Sequence, residues 1–184
     1  KETSALLEGH FILSSGLHSG QYIQCAKLLS VPKAAQSICS SLVKKINNKL
    51  SKIDIVLAPA LGGIVVGYEV GRQLNVNTIF AEREKGKLIL RRGFNIPKKS
   101  NVLIIEDVIT TGKSAMECSE LVKKNMANLI GYACIIDRSN DKISLDKEII
   151  SQVKLHIQTY REEDLPRDIK NIKAEKPGSK NLSK

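Results

Sequence analysis

The sequence lacks the features that mark a membrane or secreted protein. It has no apolar run long enough to span a bilayer, and we expect no charged-then-apolar leader. The first residue is Lys1 rather than methionine, so we expect further residues before it. The 184 residues suffice for one domain with a substantial core, and their 42% hydrophobic content is typical of globular proteins.

Cysteine is scarce, and its spacing excludes the usual structural metal site. The four cysteines form no Cys-x-x-Cys pair; they are Cys25, Cys39, Cys118 and Cys134. A disulfide framework is not expected in a domain of this size. Buried, reduced thiols are typical of a reducing compartment, so the expected location is the cytoplasm.

Acidic residues are too few to balance the basic ones. The chain has 29 Lys and Arg against 19 Asp and Glu, a net charge of +10, which would suit a nucleic-acid partner. Residues 83–99 alone hold seven cations against the single acid Glu84. Such a segment suits a small polyanionic substrate as well as it suits DNA. A solvated charged hairpin is the plain alternative.

Strand and helix patterns alternate along the chain. Apolar runs predict strands at 54–59, 77–82, 101–107, 129–137 and 153–160, and helical spacing predicts helices at 31–50, 62–74 and 113–125. The run at 101–107 is almost wholly apolar until it ends in two acids, which favours a strand buried on both faces. The order predicts an α/β fold with a doubly wound parallel sheet.

The ends of the chain predict a smaller accessory part. Two short strands within 10–26 would form a hood of about residues 1–30, joined by the C-terminal segment, beside a core of about residues 31–160. We expect one domain over residues 1–184, with a mobile polar tail.

Four strand ends carry polar chemistry. They are APALGG (58–63), AERE (81–84), EDVITTGKS (106–114) and IIDRS (135–139). Ligands of doubly wound folds bind beyond the carboxyl ends of the strands, so we expect these segments to converge on one site.

Gly112-Lys113-Ser114 matches the end of a P-loop, but the residues before it do not. A P-loop has a glycine five positions before Gly112, where this sequence has Asp107 with Glu106 beside it. Those carboxylates would repel the phosphates that the loop must hold. The sequence therefore argues against a P-loop nucleotidase.

The same segment suits a different ligand. Residues 110–114 form a hydroxyl- and amide-rich loop that opens a helix, which is a receptor for one phosphate monoester. Glu106 and Asp107 can accept hydrogen bonds from vicinal hydroxyls or help to hold Mg²⁺ through water. A phosphate beside a diol describes a ribose 5-phosphate. A capped helix after a buried strand is the plain alternative, but it leaves the two acids unexplained.

VLIIEDVITTGKS (102–114) resembles the signature of type I phosphoribosyltransferases, which bind phosphoribosyl pyrophosphate (PRPP). Further segments are similar, in order, to the orotate phosphoribosyltransferases; they are LLEGHFILSSGLHSGQYIQCAKLL, LAPALGGIVVG, FAEREKGKLILRRGF, DRS and KPGSK. The resemblance implies that PRPP and orotate react to give orotidine 5′-monophosphate and pyrophosphate, in pyrimidine biosynthesis. It implies Mg²⁺ held through PRPP and water rather than by direct protein ligands.

The resemblance also implies roles for individual residues. Its PRPP-binding set is Arg83, Glu106, Asp107, Val108, Ile109, Thr110, Thr111, Gly112, Lys113, Ser114, Leu61 and Gly62. Its orotate-binding set is Thr110, Arg138, Tyr22 and Ile23, and its catalytic set is Asp107, Glu106, Lys85 and Lys87. The cations of the basic hairpin would form a lid that reaches the neighbouring subunit's site, which implies a homodimer.

Three positions depart from the pattern of many relatives. Lysine is common where this chain has Ser14 and Gly62, and a small residue is common where it has Lys113. Lys113 would contact the 5-phosphate or point to solvent. The Gly62-Gly63 pair would permit close approach of pyrophosphate, or only ease helix–sheet packing.

Two other functions remain open at this point. A phosphoribosyltransferase for a purine or for uracil would share the PRPP signature but not SSGLHSGQYIQ or LRRGF. A PRPP-sensing regulator that binds nucleic acid would fit the net charge, but such a protein usually adds a DNA-binding domain, and no segment remains here for one.

Overall fold

The computed structural model describes residues 5–13, 15–139 and 143–177. Ser14 and the tail from residue 178, with the last three residues of KPGSK, lie outside the described residues. The chain divides into a larger unit, residues 31–155, and a smaller one of residues 1–30 and 156–184.

The larger unit alternates strands and helices as the sequence predicts. Its strands are β3 (Ile55–Pro59), β4 (Asn77–Glu84), β5 (Lys87–Leu90), β6 (Asn101–Ile109), β7 (Asn128–Asp137) and β8 (Ile149–Lys154). Its helices are α2 (Pro32–Lys49), α3 (Gly62–Leu74) and α4 (Lys113–Lys124). Pro32 occupies the first turn of α2, where its missing N–H is not needed.

The strands form one sheet in the order β5-β4-β3-β6-β7-β8. All neighbouring pairs are parallel except the antiparallel pair β4–β5 at one edge. The predicted doubly wound parallel sheet is confirmed. The strand order reverses between β3 and β6, and ligands of such sheets bind beyond the carboxyl ends of the strands at that point.

Helices cover the two faces of this sheet. A Cβ added at Gly67 of α3 would touch Val56, Ala58 and Thr78, so α3 packs on the face that these residues share. The opposite face joins one apolar cluster with α4; its members include Leu57, Ile79, Ala81, Ile104, Ala115, Cys118 and Val122. Two consecutive residues of β3, Leu57 and Ala58, therefore face α4 and α3 respectively.

Two details of the predicted elements are wrong. The strand predicted at 153–160 ends at Lys154, because its alternating apolar run crosses the boundary between the two units. His156 is consequently not in a strand. The apolar residues of the predicted helix at 113–125 also favour Met116 on its inner face, but Met116 is 45% exposed. The buried face carries smaller side chains; they are Ala115, Cys118, Ser119 and Val122.

The smaller unit is a hairpin completed by the C-terminal segment. It contains β1 (Leu6–Ile12), β2 (His18–Ile23), α1 (Cys25–Leu29), a 3₁₀ turn (Glu162–Asp164) and α5 (Arg167–Lys170). Strands β1 and β2 pair antiparallel. His10 and His18 are buried and hydrogen-bonded to each other at 2.6 Å, and His10 Nδ1 lies 2.9 Å from the carbonyl oxygen of Ile172.

In the described part of the chain, no helix is both long and apolar enough to cross a membrane.

Close packing of α3 on the sheet predicts the effect of Gly67→Ala. The added Cβ would lie 2.8 Å from the Cβ of Ala58, closer than side chains tolerate. Helix propensity alone would favour alanine by about 1 kcal/mol. We expect overpacking to dominate and to lower the free energy of unfolding by about 1–3 kcal/mol in urea denaturation. The exposed Lys44→Ala on α2 is the control, and a Gly67→Ala variant as stable as that control would contradict this packing.

Candidate active site

The end of β6 delivers two adjacent carboxylates to opposite faces of the sheet. Successive side chains of a strand alternate, so Glu106 shares the α4 face with Ile104 and Asp107 shares the α3 face with Ile105. Contacts agree with this alternation. Glu106 accepts a hydrogen bond from the backbone N–H of Ala115 in α4, and Asp107 lies against the first residue of α3.

Gly62 provides the space that the Asp107 carboxylate occupies. A Cβ at position 62 would lie 2.8 and 2.9 Å from the two carboxylate oxygens of Asp107. Real Cβ atoms do not approach that closely, so no larger residue fits unless the carboxylate or the loop moves. Gly62, at the position where many relatives carry lysine, therefore leaves the space that the Asp107 carboxylate needs in this conformation. The preceding Leu61 is 81% exposed and follows a cis peptide bond.

Burial changes the charge state of the two acids. Burial and, secondarily, the neighbouring charge of Asp107 raise the pKa of Glu106 to about 8. The Oε1 atom of Glu106 is buried without a hydrogen-bond partner among the described residues. Burial also raises the pKa of Asp107, although backbone N–H groups oppose that shift. At neutral pH the pair consequently holds a proton, on Glu106, in the free protein.

The loop after β6 leaves the N-terminus of α4 open. Gly112 precedes the helix with a φ of 69°, a left-handed conformation that favours glycine. The N-cap residue is a glycine without a capping side chain, and the first turn contains no acid. Two of its N–H groups have side-chain acceptors, since Lys113 donates to Oγ1 of Thr111 at 3.4 Å and Ala115 donates to Glu106. Thr110, Thr111 and Lys113 are exposed, and Ser114 is half-buried. The loop therefore offers amides and hydroxyls to an anion.

Backbone pairing brings Arg138 beside this loop. Its N–H donates to the carbonyl oxygen of Ile109 at 2.8 Å, immediately before Thr110. The Ile109 side chain is only 1% exposed and belongs to the core, so Ile109 can contact a ligand only through its backbone. Val108 is half-buried on the same strand.

The basic segment begins as a tight hairpin at the sheet edge. Lys85 and Gly86 both have positive φ and form the two-residue turn between β4 and β5. Lys85 and Lys87 are exposed and make no ion pair with a described residue. Arg83 instead lies 2.9 Å from a carboxylate oxygen of Glu117 on α4. Ala60, in the loop before α3, donates its N–H to the carbonyl oxygen of Ala81 at 2.7 Å, so this loop lies beside β4.

The structure thus places most of the predicted site residues in one region of the larger unit. The loop at Leu61 and Gly62, the two acids, residues 108–114 and Arg138 adjoin one another. Tyr22 and Ile23 belong to the smaller unit, where the Tyr22 ring lies 5.8 Å from that of Phe11 and Ile23 is buried. Their assignment to orotate stays a prediction.

Sequence reasoning missed Glu117 and the backbone N–H of Ala115. Glu117 follows Lys113 by one helical turn, a spacing shared by many surface acids. Its partner Arg83 is 34 positions away. No local pattern predicts such a pair, because pairing depends on how the hairpin packs against α4.

Comparisons with known proteins agree with this geometry. A phosphoribosyl transferase domain model matches residues 27–164. The orotate phosphoribosyltransferase of Caldicellulosiruptor bescii is 47% identical over 180 residues, 98% of this chain and 94% of that protein. The same enzyme of Chlorobium phaeobacteroides is 44% identical over 183 residues, 100% and 94% of the two chains.

A solved structure supports the fold. The orotate phosphoribosyltransferase of Aeropyrum pernix superposes with a TM-score of 0.71 at 22% identity, covering 84% of this chain and 90% of that one.

The raised pKa of Glu106 predicts a pH-dependent effect of Glu106→Gln. A raised carboxyl pKa stabilises the folded state below the unfolded pKa of about 4.5, and that contribution disappears as the pH rises through about 8. Glutamine mimics the protonated acid at every pH. We therefore expect the melting temperature of the variant, relative to the natural chain, to rise from pH 5 to pH 9.

Scanning calorimetry across that range checks this expectation. Glu120→Gln serves as the control because Glu120 is exposed on the same helix. A difference in melting temperature that does not change with pH would contradict the assigned charge state.

Proposed function

The chain belongs to the phosphoribosyl transferase family and, within it, to the orotate phosphoribosyltransferases, and we propose that it transfers the phosphoribosyl group from PRPP to orotate. The products are orotidine 5′-monophosphate and pyrophosphate. Relatives 44–47% identical over nearly the whole chain support this activity. The observation that carries it is the pair of acids near the end of a central strand, beside a helix N-terminus that has a glycine N-cap and no acid in its first turn.

The chemical barrier is the departure of pyrophosphate from C1 of the ribose. The transition state has oxocarbenium character: positive charge develops on the ribose ring, and negative charge develops on the leaving pyrophosphate as it takes the bonding electron pair. Donors must stabilise the leaving charge while the nucleophile is held in line with C1. Catalysis then consists of positioning and electrostatic stabilisation by groups already in place. The residues described above supply both.

The ribose end of PRPP would bind at β6 and the loop after it. Thr110–Ser114 would hold the 5-phosphate with amides, hydroxyls and the dipole of α4. Glu106 and Asp107 would bind the ribose hydroxyls. The protonated Glu106 can donate one hydrogen bond to a hydroxyl, whereas Asp107, on the α3 side, would place negative charge near the developing cation.

The pyrophosphate would leave toward the loop that contains Leu61 and Gly62. Backbone N–H groups of that loop would contact its oxygens. The hairpin cations Arg83, Lys85 and Lys87 would neutralise the leaving charge, and the hairpin would close over the site as a lid. Exposed lysines without ion-pair partners in the described chain suit that role.

Arg138 would recognise orotate. The guanidinium offers a planar fork of N–H donors that matches the carboxylate of this pyrimidine. Its backbone N–H donates to Ile109 next to the phosphate loop, which supports a role near the ribose end of bound PRPP. Thr110 would also contact the base, and the assignment of Tyr22 and Ile23 to orotate stays a prediction.

The site fits Mg²⁺ that arrives with its substrate. Among the described residues, no three acidic, histidine or cysteine side chains cluster closely enough to hold a metal ion. The Asp107 carboxylate would hold the ion through water, and PRPP oxygens would supply its direct ligands. Bound there, Mg²⁺ would neutralise charge on the pyrophosphate.

We also propose that the enzyme is a cytoplasmic homodimer. Leu61, Val65 and Tyr68 recur at helical spacing along one side of α3 and are 81%, 49% and 65% exposed. We call them the α3 stripe. An apolar stripe of this kind is suited to a second copy of the chain, and it begins in the proposed pyrophosphate loop. Dimer formation would then position that loop.

A panel of bases tests the proposed reaction. With PRPP and Mg²⁺, we expect the purified chain to release pyrophosphate with orotate but not with adenine, hypoxanthine or uracil. Asp107→Asn should reduce kcat/KM at least about a hundredfold, because it removes charge from the transition state. Turnover of another base without orotate would refute the substrate. Nucleic-acid binding that persists in Asp107→Asn, together with intact biological function, would instead favour a regulator.

Sedimentation velocity tests the dimer. We expect the natural chain to sediment as a dimer and Tyr68→Glu to sediment as a monomer, because a buried, unpaired carboxylate opposes association. Asn47→Glu adds the same charge at an exposed position on α2 and should leave the dimer intact. A Tyr68→Glu dimer as stable as the Asn47→Glu dimer would exclude the α3 stripe as the interface.

A further inference from the structure

Glu117 joins the basic hairpin to the helix that follows the phosphate loop. Its carboxylate accepts two hydrogen bonds from Nη1 of Arg83, at 2.9 and 3.2 Å. It also accepts the backbone N–H of Leu88 at 3.1 Å. Arg83 belongs to β4 and Leu88 to β5, so the one side chain of Glu117 holds both strands of the hairpin against α4.

The geometry of Arg83 leaves part of its guanidinium available. All its recorded hydrogen bonds use Nη1, which also donates to the carbonyl oxygen of Gly86 at 2.6 Å. Nε and Nη2 have no hydrogen-bond partner among the described residues, and the side chain is 39% exposed. Three N–H groups therefore remain for a ligand while Glu117 holds the other end of the fork.

Glu117 is partly shielded, which makes its pairing more effective than that of a surface bridge. Its side chain is 24% exposed, and Leu88, one of its partners, is buried in the core cluster. Most other ion pairs of the described hairpin and α4 involve more exposed acids, such as Glu84 with Arg91 and Glu120 with Lys123. Such exposed ion pairs contribute little to the free energy of folding.

The pair also lies on the same side of the sheet as Glu106. Burial and the charges of Glu106 and Glu117 raise the pKa of Cys118, and Arg83 lowers it. The ionisable side chains of Glu106, Glu117 and Arg83 are thus all close enough to the buried Cys118 thiol to influence its pKa. The Arg83–Glu117 pair and the proposed ribose-binding acid consequently share one side of α4.

We propose that Glu117 is a positioning residue for PRPP, and this rests on the proposed function. It fixes the guanidinium of Arg83 through Nη1, so that the remaining N–H groups are presented to the leaving pyrophosphate. It also holds β5 through Leu88, so the turn that carries Lys85 keeps its place. Preorganised donors cost no reordering when the charge develops, which is why their placement affects the rate.

A double-mutant cycle on PRPP binding tests this proposal. The dissociation constant of PRPP with Mg²⁺ is measured by calorimetry for the natural chain, Glu117→Ala, Arg83→Ala and the double variant. We expect Glu117→Ala to weaken binding about tenfold, the equivalent of one charge-assisted hydrogen bond. In the Arg83→Ala background the same change should have no further effect, because Glu117 acts through Arg83.

Several results would overturn it. Unchanged PRPP affinity in Glu117→Ala, or a lower melting temperature with unchanged affinity, would make the pair merely structural. Equal losses in both backgrounds would show that Glu117 does not act through Arg83. Glu120→Ala, on the exposed side of α4, is the matched control and should bind PRPP like the natural chain.

Two further measurements keep the test decisive. Should Glu117→Ala fail to fold, Glu117→Gln replaces it, because glutamine keeps an acceptor for Leu88 and loses only the charge. In steady-state assays the loss should fall on KM for PRPP and leave KM for orotate unchanged, and a loss shared by both substrates would count against the proposal. If the natural protein bound PRPP but did not use orotate, the proposed function would be refuted. The double-mutant cycle on PRPP binding would still decide the role of Glu117.

Discussion

The site depends on one constraint, the burial of β6 on both faces over residues 102–105, directly before the two acids. Because side chains alternate along a strand, a doubly buried strand that runs into two consecutive acids must send them to opposite sides of the sheet. Glu106 then meets α4 and Asp107 meets α3. The two helices that carry the phosphate loop and the pyrophosphate loop are thereby linked through adjacent residues of one strand.

The same burial determines what the acids can do chemically. Burial raises the pKa of Glu106 to about 8, and the charge of the adjacent Asp107 adds to this shift. The pair therefore includes a hydrogen-bond donor as well as an acceptor at neutral pH. A diol, which both donates and accepts, is a suitable partner for such a pair. Gly62 completes the arrangement, since a side chain there would displace Asp107.

Much of this could be predicted from the sequence, because the strongest signals are local. Composition and spacing predict the buried apolar run before Glu106, the helix at 62–74 that begins with two glycines, and the alternation of strands and helices. The failures involve contacts between distant segments. The strand predicted at 153–160 continued an alternation whose second half belongs to the other unit. Glu117 could not be assigned, because its partner is remote in sequence and its role depends on packing.

A crystal structure with PRPP and Mg²⁺ bound is the most direct test of this account. We predict that the ribose hydroxyls contact both Glu106 and Asp107, with the 5-phosphate on the amides of residues 110–114. The pyrophosphate should lie between the Gly62 loop and the free N–H groups of Arg83. A phosphate bound away from the N-terminus of α4, or a ribose that contacts neither acid, would contradict the central claim that β6 organises the site.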